Sequence, residues 1–295
     1  AVRIGAEVEY DNVFAVGRGL LYAEEFSRAD TLQTAVVVRI HIFSISLFSL
    51  FLRFLCCGFC DIIFFMELFG LEKLSLVDYD SHTAATVFTG GCNFRCPFCH
   101  NGSLVVTSKN DFRISEEEVL AYLTKRKGLL DGLVVTGGEP TLHKDLADFL
   151  GKVKDLEYDI KLDTNGTSPE MLALLVSSRL VDYVAMDIKS SPSSYSVVAG
   201  VSEPHLDKIA ESVAFLKKGS VPYEFRTTVI SEFHTEKDFH EIAAFIDGAE
   251  KYFIQKYRDS DGCLQSGFTP VPEEIAAKYL SFIAPHVGYA ALRGY

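Results

Sequence analysis

The chain has 295 residues, 48% hydrophobic and 23% charged, enough apolar material for a sizeable core in one large domain or two small ones. Its formal net charge of −12 argues against a nucleic-acid polyanion as the main partner, because phosphate binding needs a basic patch and none stands out. Seven cysteines, three of them tightly clustered, point to a metal site in a reducing, cytoplasmic compartment rather than to a secreted disulfide framework.

Residues 1–65 read differently from the rest. Ile42–Phe65, "IFSISLFSLFLRFLCCGFCDIIFF", has about the length of a membrane span. Arg53 near its centre and Asp61 near its end count against spanning, at about 2.5–3.5 kcal/mol for a charge at the bilayer centre. The run starts too far into the chain, and lacks a small-residue cleavage site, to be a secretory signal. The first methionine is Met66, and the pattern after it is ordinarily globular. The expectation is that 1–65 is an upstream extension rather than a membrane anchor, and that 66–295 is the working domain. Cys56, Cys57 and Cys60 sit among Phe, Leu and Ile with no polar partners, so they are not read as a second metal site.

After Met66, short β-branched or apolar runs at Ala84–Thr89, Leu133–Thr136, Asp159–Asp163, Val181–Asp187, Tyr223–Ile230 and Tyr252–Lys256 fit buried parallel strands. Helix starts lie between them: Ser115 with Glu118 as a capping box, Ser168-Pro169 as an N-cap followed by proline, and Thr235 with Asp238. Six βα units in order predict an α/β fold, a partial parallel (β/α)6 TIM-like barrel. Such folds place their chemistry on the loops that follow the strands.

Polar motifs end four successive strands. "GGCNFRCPFCHN" follows the first and carries Cys92, Cys96 and Cys99; "TGGEP" brings Gly137, Gly138 and Glu139; "DTNG" brings Asp163 and Asn165; "MDIK" brings Asp187 and Lys189. Each alone could be a turn or a solvated strand end. Their joint placement on one rim reads as a site. Arg226 on the fifth strand could reach the same mouth or serve as a structural ion pair. His100 and His143 read as loop and local structure, and Cys263 as an ordinary packed thiol.

Three chemistries compete for the cysteine loop. Haem attachment uses Cys96, Cys99 and His100, leaves Cys92 unexplained, and suits a small exported helical protein. Zinc could take the three cysteines and His100, but such a closed structural site would not require the other rim motifs. An iron–sulfur cluster on three cysteines leaves one iron open, which explains why glycines and carboxylates gather opposite.

Cys92-x3-Cys96-x2-Cys99 with Phe98, together with "GGEP", resembles the signature of the radical S-adenosylmethionine (radical SAM) enzymes. More narrowly, "GCNFRCPFCHN", "TGGEPT", "LDTNGT" and "DYVAMDIK" resemble the activating enzymes of glycyl-radical proteins, above all those of anaerobic ribonucleoside-triphosphate reductase. The resemblance implies a [4Fe–4S] cluster on Cys92, Cys96 and Cys99 whose fourth iron takes the amino and carboxylate groups of SAM. It further implies Gly137, Gly138 and Glu139 at the amino end, Asp163 and Asn165 at the ribose, Asp187 and Lys189 near the carboxylate, and Phe98 beside the adenine. The implied partners are a reduced flavodoxin or ferredoxin and a glycyl-radical enzyme. An activator of another such enzyme, for instance pyruvate formate-lyase, a radical enzyme acting on a small molecule, and a zinc- or cluster-binding structural module are the alternatives.

Overall fold

The computed structural model of the chain describes residues 66–108 and 111–295, all within one compact unit. The apolar run Ile42–Phe65, Cys56, Cys57 and Cys60 lie outside the described residues.

Eight strands form one sheet in sequence order: β1 Leu68–Ser75, β2 Ala84–Thr89, β3 Gly132–Gly137, β4 Asp159–Thr164, β5 Tyr183–Asp187, β6 Tyr223–Val229, β7 Ala249–Lys256 and β8 Val287–Arg293. β2 to β8 run parallel, and β1 joins β2 antiparallel. Among the described residues β1 and β8 each pair with only one other strand, so the barrel is unclosed. The six interior strands coincide with the six apolar runs. They are legible because parallel strands covered on both faces must be apolar nearly throughout: in β2 five of six residues are buried.

The two edges were not predicted, for a physical reason. β1 exposes Glu72, Lys73 and Leu74 consecutively, and β8, "VGYAALR", has no fully buried residue, so neither shows an apolar run or a clean alternation.

Helices cover the sheet through apolar stripes. Leu146–Asp155 buries Leu146, Phe149, Leu150 and Val153, an i, i+3, i+4, i+7 pattern, and Leu206–Leu216 buries Ile209, Val213 and Leu216. The start signals fall at helix starts, though the Ser168 side chain makes no capping hydrogen bond. Ser115 and Glu118 form a reciprocal capping box, Thr235 and Asp238 another, and Pro169 opens the helix behind Ser168. Among the described residues no helix is long and apolar enough to cross a membrane.

The register determines what meets at the strand ends. Thr89 lies opposite Gly137, Asp163 opposite Ala185 and Asp187 opposite Arg226. The loops after β2, β3, β4 and β5 therefore emerge side by side.

Candidate active site

A cavity of about 270 Å³ opens at these strand ends, lined by Cys92, Cys96 and Cys99 on one side and by Gly137, Glu139, Asp163, Asp187 and Lys189 among others on the rest. The cysteine loop is held from within and from both flanks. Gly91 and Cys92 N–H donate to Leu104 and Val105 carbonyls at 2.7 and 3.2 Å, and Cys99 N–H turns back to Cys96 at 3.0 Å. Arg95 N–H reaches Ala199 at 2.8 Å, while Leu264 and Gln265 N–H donate to Cys99 and Pro97 at 2.9 and 2.7 Å. The segment after β7 thus straps the loop from outside.

Burial pushes the Cys92 thiol up to about 11 and Cys96 up to about 12, and raises Cys99; the Lys189 cation pulls each back down. Three thiols on one cavity wall can act together as ligands, which requires their thiolate forms and so release of their protons on binding. His100 does not complete a zinc site: its imidazole is exposed and its Nε2 is taken by the Arg258 carbonyl at 2.7 Å. Among the described residues no three His, Cys, Asp or Glu side chains converge as ligands of a single ion, whereas a cubane takes each thiolate on a different iron.

Gly137 and Gly138 make their close approach to the cysteine loop's own stem. A Cβ on Gly138 would lie 2.0 Å from the Gly91 carbonyl oxygen. Gly137, at φ +120°, would place one 2.3 Å from Thr89 N. Gly138 and Glu139 N–H donate to Thr89 and Gly91 at 2.8 Å each, and Asn101 Nδ2 donates to Gly137 at 3.1 Å. The "TGGEP" turn is a clamp on the root of the cysteine loop.

Glu139, 1% exposed, is engaged by its neighbours. Its Oε1 accepts from Thr141 N, Thr141 Oγ1 and Thr164 Oγ1 at 3.1, 2.5 and 2.7 Å, and its Oε2 from Asn165 N at 2.7 Å. Burial raises its carboxyl against these four bonds. The carboxylate joins the β3 and β4 loops, and Glu139 also lines the cavity. Glu139→Ala orphans these buried donors, at ~1–3 kcal/mol per unsatisfied group. A loss of about 3 kcal/mol is expected in urea unfolding of the apoprotein, together with weaker SAM binding by the reconstituted protein. Glu139→Gln, which keeps one acceptor oxygen, is expected to fall between wild type and alanine in the same titration.

Asn165 is also committed. Its Oδ1 accepts from Thr167 N and Oγ1 at 3.0 and 2.7 Å, and its Nδ2 donates to Asn93 Oδ1 at 2.8 Å; Asn93 Nδ2 closes the ring onto Thr167 Oγ1 at 2.8 Å. Asp163 differs. Its Oδ2 meets Arg226 Nη2 at 3.0 Å, but its buried Oδ1 accepts no hydrogen bond and has only the Lys161 ammonium at 3.5 Å, too long for a good one. That orphaned acceptor on the cavity wall suits a hydroxyl donor of a ligand.

Asp187 accepts from Lys189 Nζ at 2.7 Å and from Arg226 Nε. Burial alone would raise its carboxyl, but the Arg226 and Lys189 cations outweigh it and hold it well below the usual carboxylate range. Arg226 is therefore an ion-pair residue that also lines the cavity. Phe98 lines it too, packed 5.9 Å from the Phe233 ring and 6.5 Å from Tyr257.

The sequence did not reveal Asn93, Thr141, Thr164 and Thr167, whose roles are hydrogen bonds between loops. It also undersold His143, whose Nε2 reaches the Gly90 carbonyl at 2.8 Å and ties the β3 loop to the cysteine loop. Cys263 packs as expected, its Sγ within 3.5 Å of Tyr257 Oη and 3.6 Å of Ser260 Oγ.

Residues 86–246 match the radical SAM superfamily. The chain belongs to that superfamily. Radical SAM enzymes use a [4Fe–4S] cluster and S-adenosylmethionine, which the three cavity thiols and the orphaned Asp163 oxygen can accommodate. This radical SAM chain is 32% identical over 220 residues to glycyl-radical enzyme activating enzyme MJ1227 of Methanocaldococcus jannaschii, covering 73% of the chain and 90% of that protein. It is 31% identical over 145 residues to a GTP 3′,8-cyclase of Thermococcus kodakarensis, covering 48% of the chain and 46% of the cyclase. Streptococcus suis SuiB bound to S-adenosylmethionine shares the fold, with a TM-score of 0.54 and 14% identity over 69% of this chain and 48% of SuiB.

Proposed function

We propose that this radical SAM enzyme installs a glycyl radical on a partner protein, and that the partner is an anaerobic ribonucleoside-triphosphate reductase. The observation that carries the activating role is the 32% identity running along 90% of a glycyl-radical enzyme activating enzyme; the likeness to a GTP cyclase stops at half of either chain. The reductase as partner is supported by the motifs "GCNFRCPFCHN", "TGGEPT", "LDTNGT" and "DYVAMDIK". The working unit is taken to be 66–295, in a reducing cytoplasm.

In this reading Cys92, Cys96 and Cys99 hold the cluster. When bound, the cluster supplies the single electron, received from flavodoxin or ferredoxin, that splits the SAM sulfonium so that hydrogen can be taken from a glycine Cα of the partner. The chain's own residues orient and shield. Gly137 and Gly138 bring backbone to the amino end of SAM, with Glu139 bracing that turn from behind. Asp163 Oδ1 accepts from the ribose, and Asn165 holds the loop beside it. Lys189, aimed by Asp187, faces the carboxylate, and Phe98 closes the adenine side. Alignment of this kind, with water kept out, is how the fold contributes to rate.

The test mixes reduced, reconstituted enzyme with SAM and the reductase under anaerobic conditions. The expected result is the doublet electron paramagnetic resonance (EPR) signal of a glycyl radical on the reductase, with 5′-deoxyadenosine formed alongside. Deoxyadenosine without that doublet, accelerated instead by another glycyl-radical protein or by a small molecule, contradicts the reductase as partner.

A further inference from the structure

We infer that Lys189 is the fixed counter-charge of the cluster, and that Asp163, Arg226 and Asp187 form an ion-pair relay that aims it and thereby sets how easily the cluster is reduced. The inference rests on the proposed placement of the cluster on Cys92, Cys96 and Cys99.

The relay alternates in sign along the strand ends. Lys161 Nζ stands 3.5 Å from Asp163 Oδ1, Arg226 Nη2 lies 3.0 Å from Asp163 Oδ2, Arg226 Nε donates to Asp187 Oδ1, and Lys189 Nζ donates to Asp187 Oδ2 at 2.7 Å. The sheet builds its centre, since Asp187 and Arg226 are register partners on β5 and β6. The side chains of Asp163 and Arg226 are 15% and 12% exposed and those of Asp187 and Lys189 26% and 23%, so solvent screens the Asp163–Arg226 end less than the Lys189 end.

Lys189 is fixed at three points. Tyr195 Oη, in a fully buried side chain, meets its N–H at 3.2 Å. Its carbonyl accepts from Nε2 of buried His234 at 2.9 Å, and His234 Nδ1 in turn accepts from Ile230 N–H at 3.1 Å. Its ammonium is held by Asp187. A lysine usually keeps a mobile charge on a flexible stem; this one is set in place before any small molecule arrives. Lys189 lines the same cavity as Cys92, Cys96 and Cys99.

Reduction adds one electron to a cluster already carrying three thiolates, with no bond made or broken. A fixed cation beside it favours the reduced form, and a fixed anion disfavours it. Adjacent residues of opposite charge must therefore shift the potential in opposite directions, whereas loosening of the fold has no reason to.

The experiment compares wild type, Lys189→Gln, Lys189→Arg and Asp187→Asn, reconstituted anaerobically without SAM and poised with dithionite and viologen dyes. Reduced cluster is quantified by EPR. At the wild-type midpoint, Lys189→Gln is expected to lower the ratio of reduced to oxidised cluster about tenfold, ~59 mV for a one-electron couple. Lys189→Arg should restore the wild-type ratio and Asp187→Asn should raise it. Clusters that form normally but show ratios within about twofold of wild type, or shifts of the same sign in both charge-removing variants, overturn the relay alone. A wild-type protein that takes up no cluster overturns the relay and the cysteine assignment together.

Discussion

Replacing any one of Cys92, Cys96 or Cys99 by alanine is expected to abolish the cluster's visible absorbance and all SAM cleavage, while Cys263→Ala keeps both. The three thiols line one cavity on a loop fixed by hydrogen bonds on both flanks. Among the described residues Cys263 does not line the cavity, and His100, which does, has its Nε2 engaged by the Arg258 carbonyl. Structural metal sites draw much of their stability from the completed ligand set, so loss of one thiolate removes binding rather than trimming it. Iron and labile-sulfide analysis of each variant after anaerobic reconstitution is the check. Full cluster content in Cys96→Ala, or loss of it in Cys263→Ala, would sink this assignment.

Gly138→Ala is expected to cost about 3 kcal/mol, at the upper end for overpacking a buried contact. The added methyl would meet backbone, the Gly91 carbonyl at 2.0 Å, and backbone cannot swing aside as a flexible side chain can. At ~2–4 °C per kcal/mol, calorimetry should show Tm falling by roughly 6–12 °C. Because the displaced atoms are the root of the cysteine loop, cluster content should fall as well. Gly151→Ala is the control. It lies in the helix Leu146–Asp155, nothing stands within 4 Å of its added Cβ, and it should gain about 0.5–1 kcal/mol from helix propensity. Equal Tm values for the two variants would refute the clamp.

These contrasts show which parts of the molecule the sequence could disclose. β2 to β7 were legible because strands buried on both faces carry continuous apolar runs. β1 and β8 were not, since Glu72 and Lys73 interrupt the first and the second is an edge strand with Gly288 and no fully buried residue. The cysteine cluster was legible because Cys92, Cys96 and Cys99 fall close together on one loop. The bracing work of Glu139 was not: its four donors come from Thr141, Thr164 and Asn165 on two separate loops. The clamp made by Gly137 and Gly138 was not legible either, because their close contacts, Thr89 and Gly91, are brought near only by the pairing of β2 with β3. Arg226 was left between two roles because its partner Asp187 is 39 residues away, and only the register of β5 with β6 joins them.

The central claim is that Cys92, Cys96 and Cys99 hold a [4Fe–4S] cluster with one iron open to S-adenosylmethionine. EPR of the dithionite-reduced, reconstituted protein before and after SAM is added tests it most directly. The account predicts a reduced-cluster signal whose g values change on addition of SAM, together with about four irons and four sulfides per chain. One equivalent of zinc without labile sulfide, or a cluster signal indifferent to saturating SAM, would contradict it.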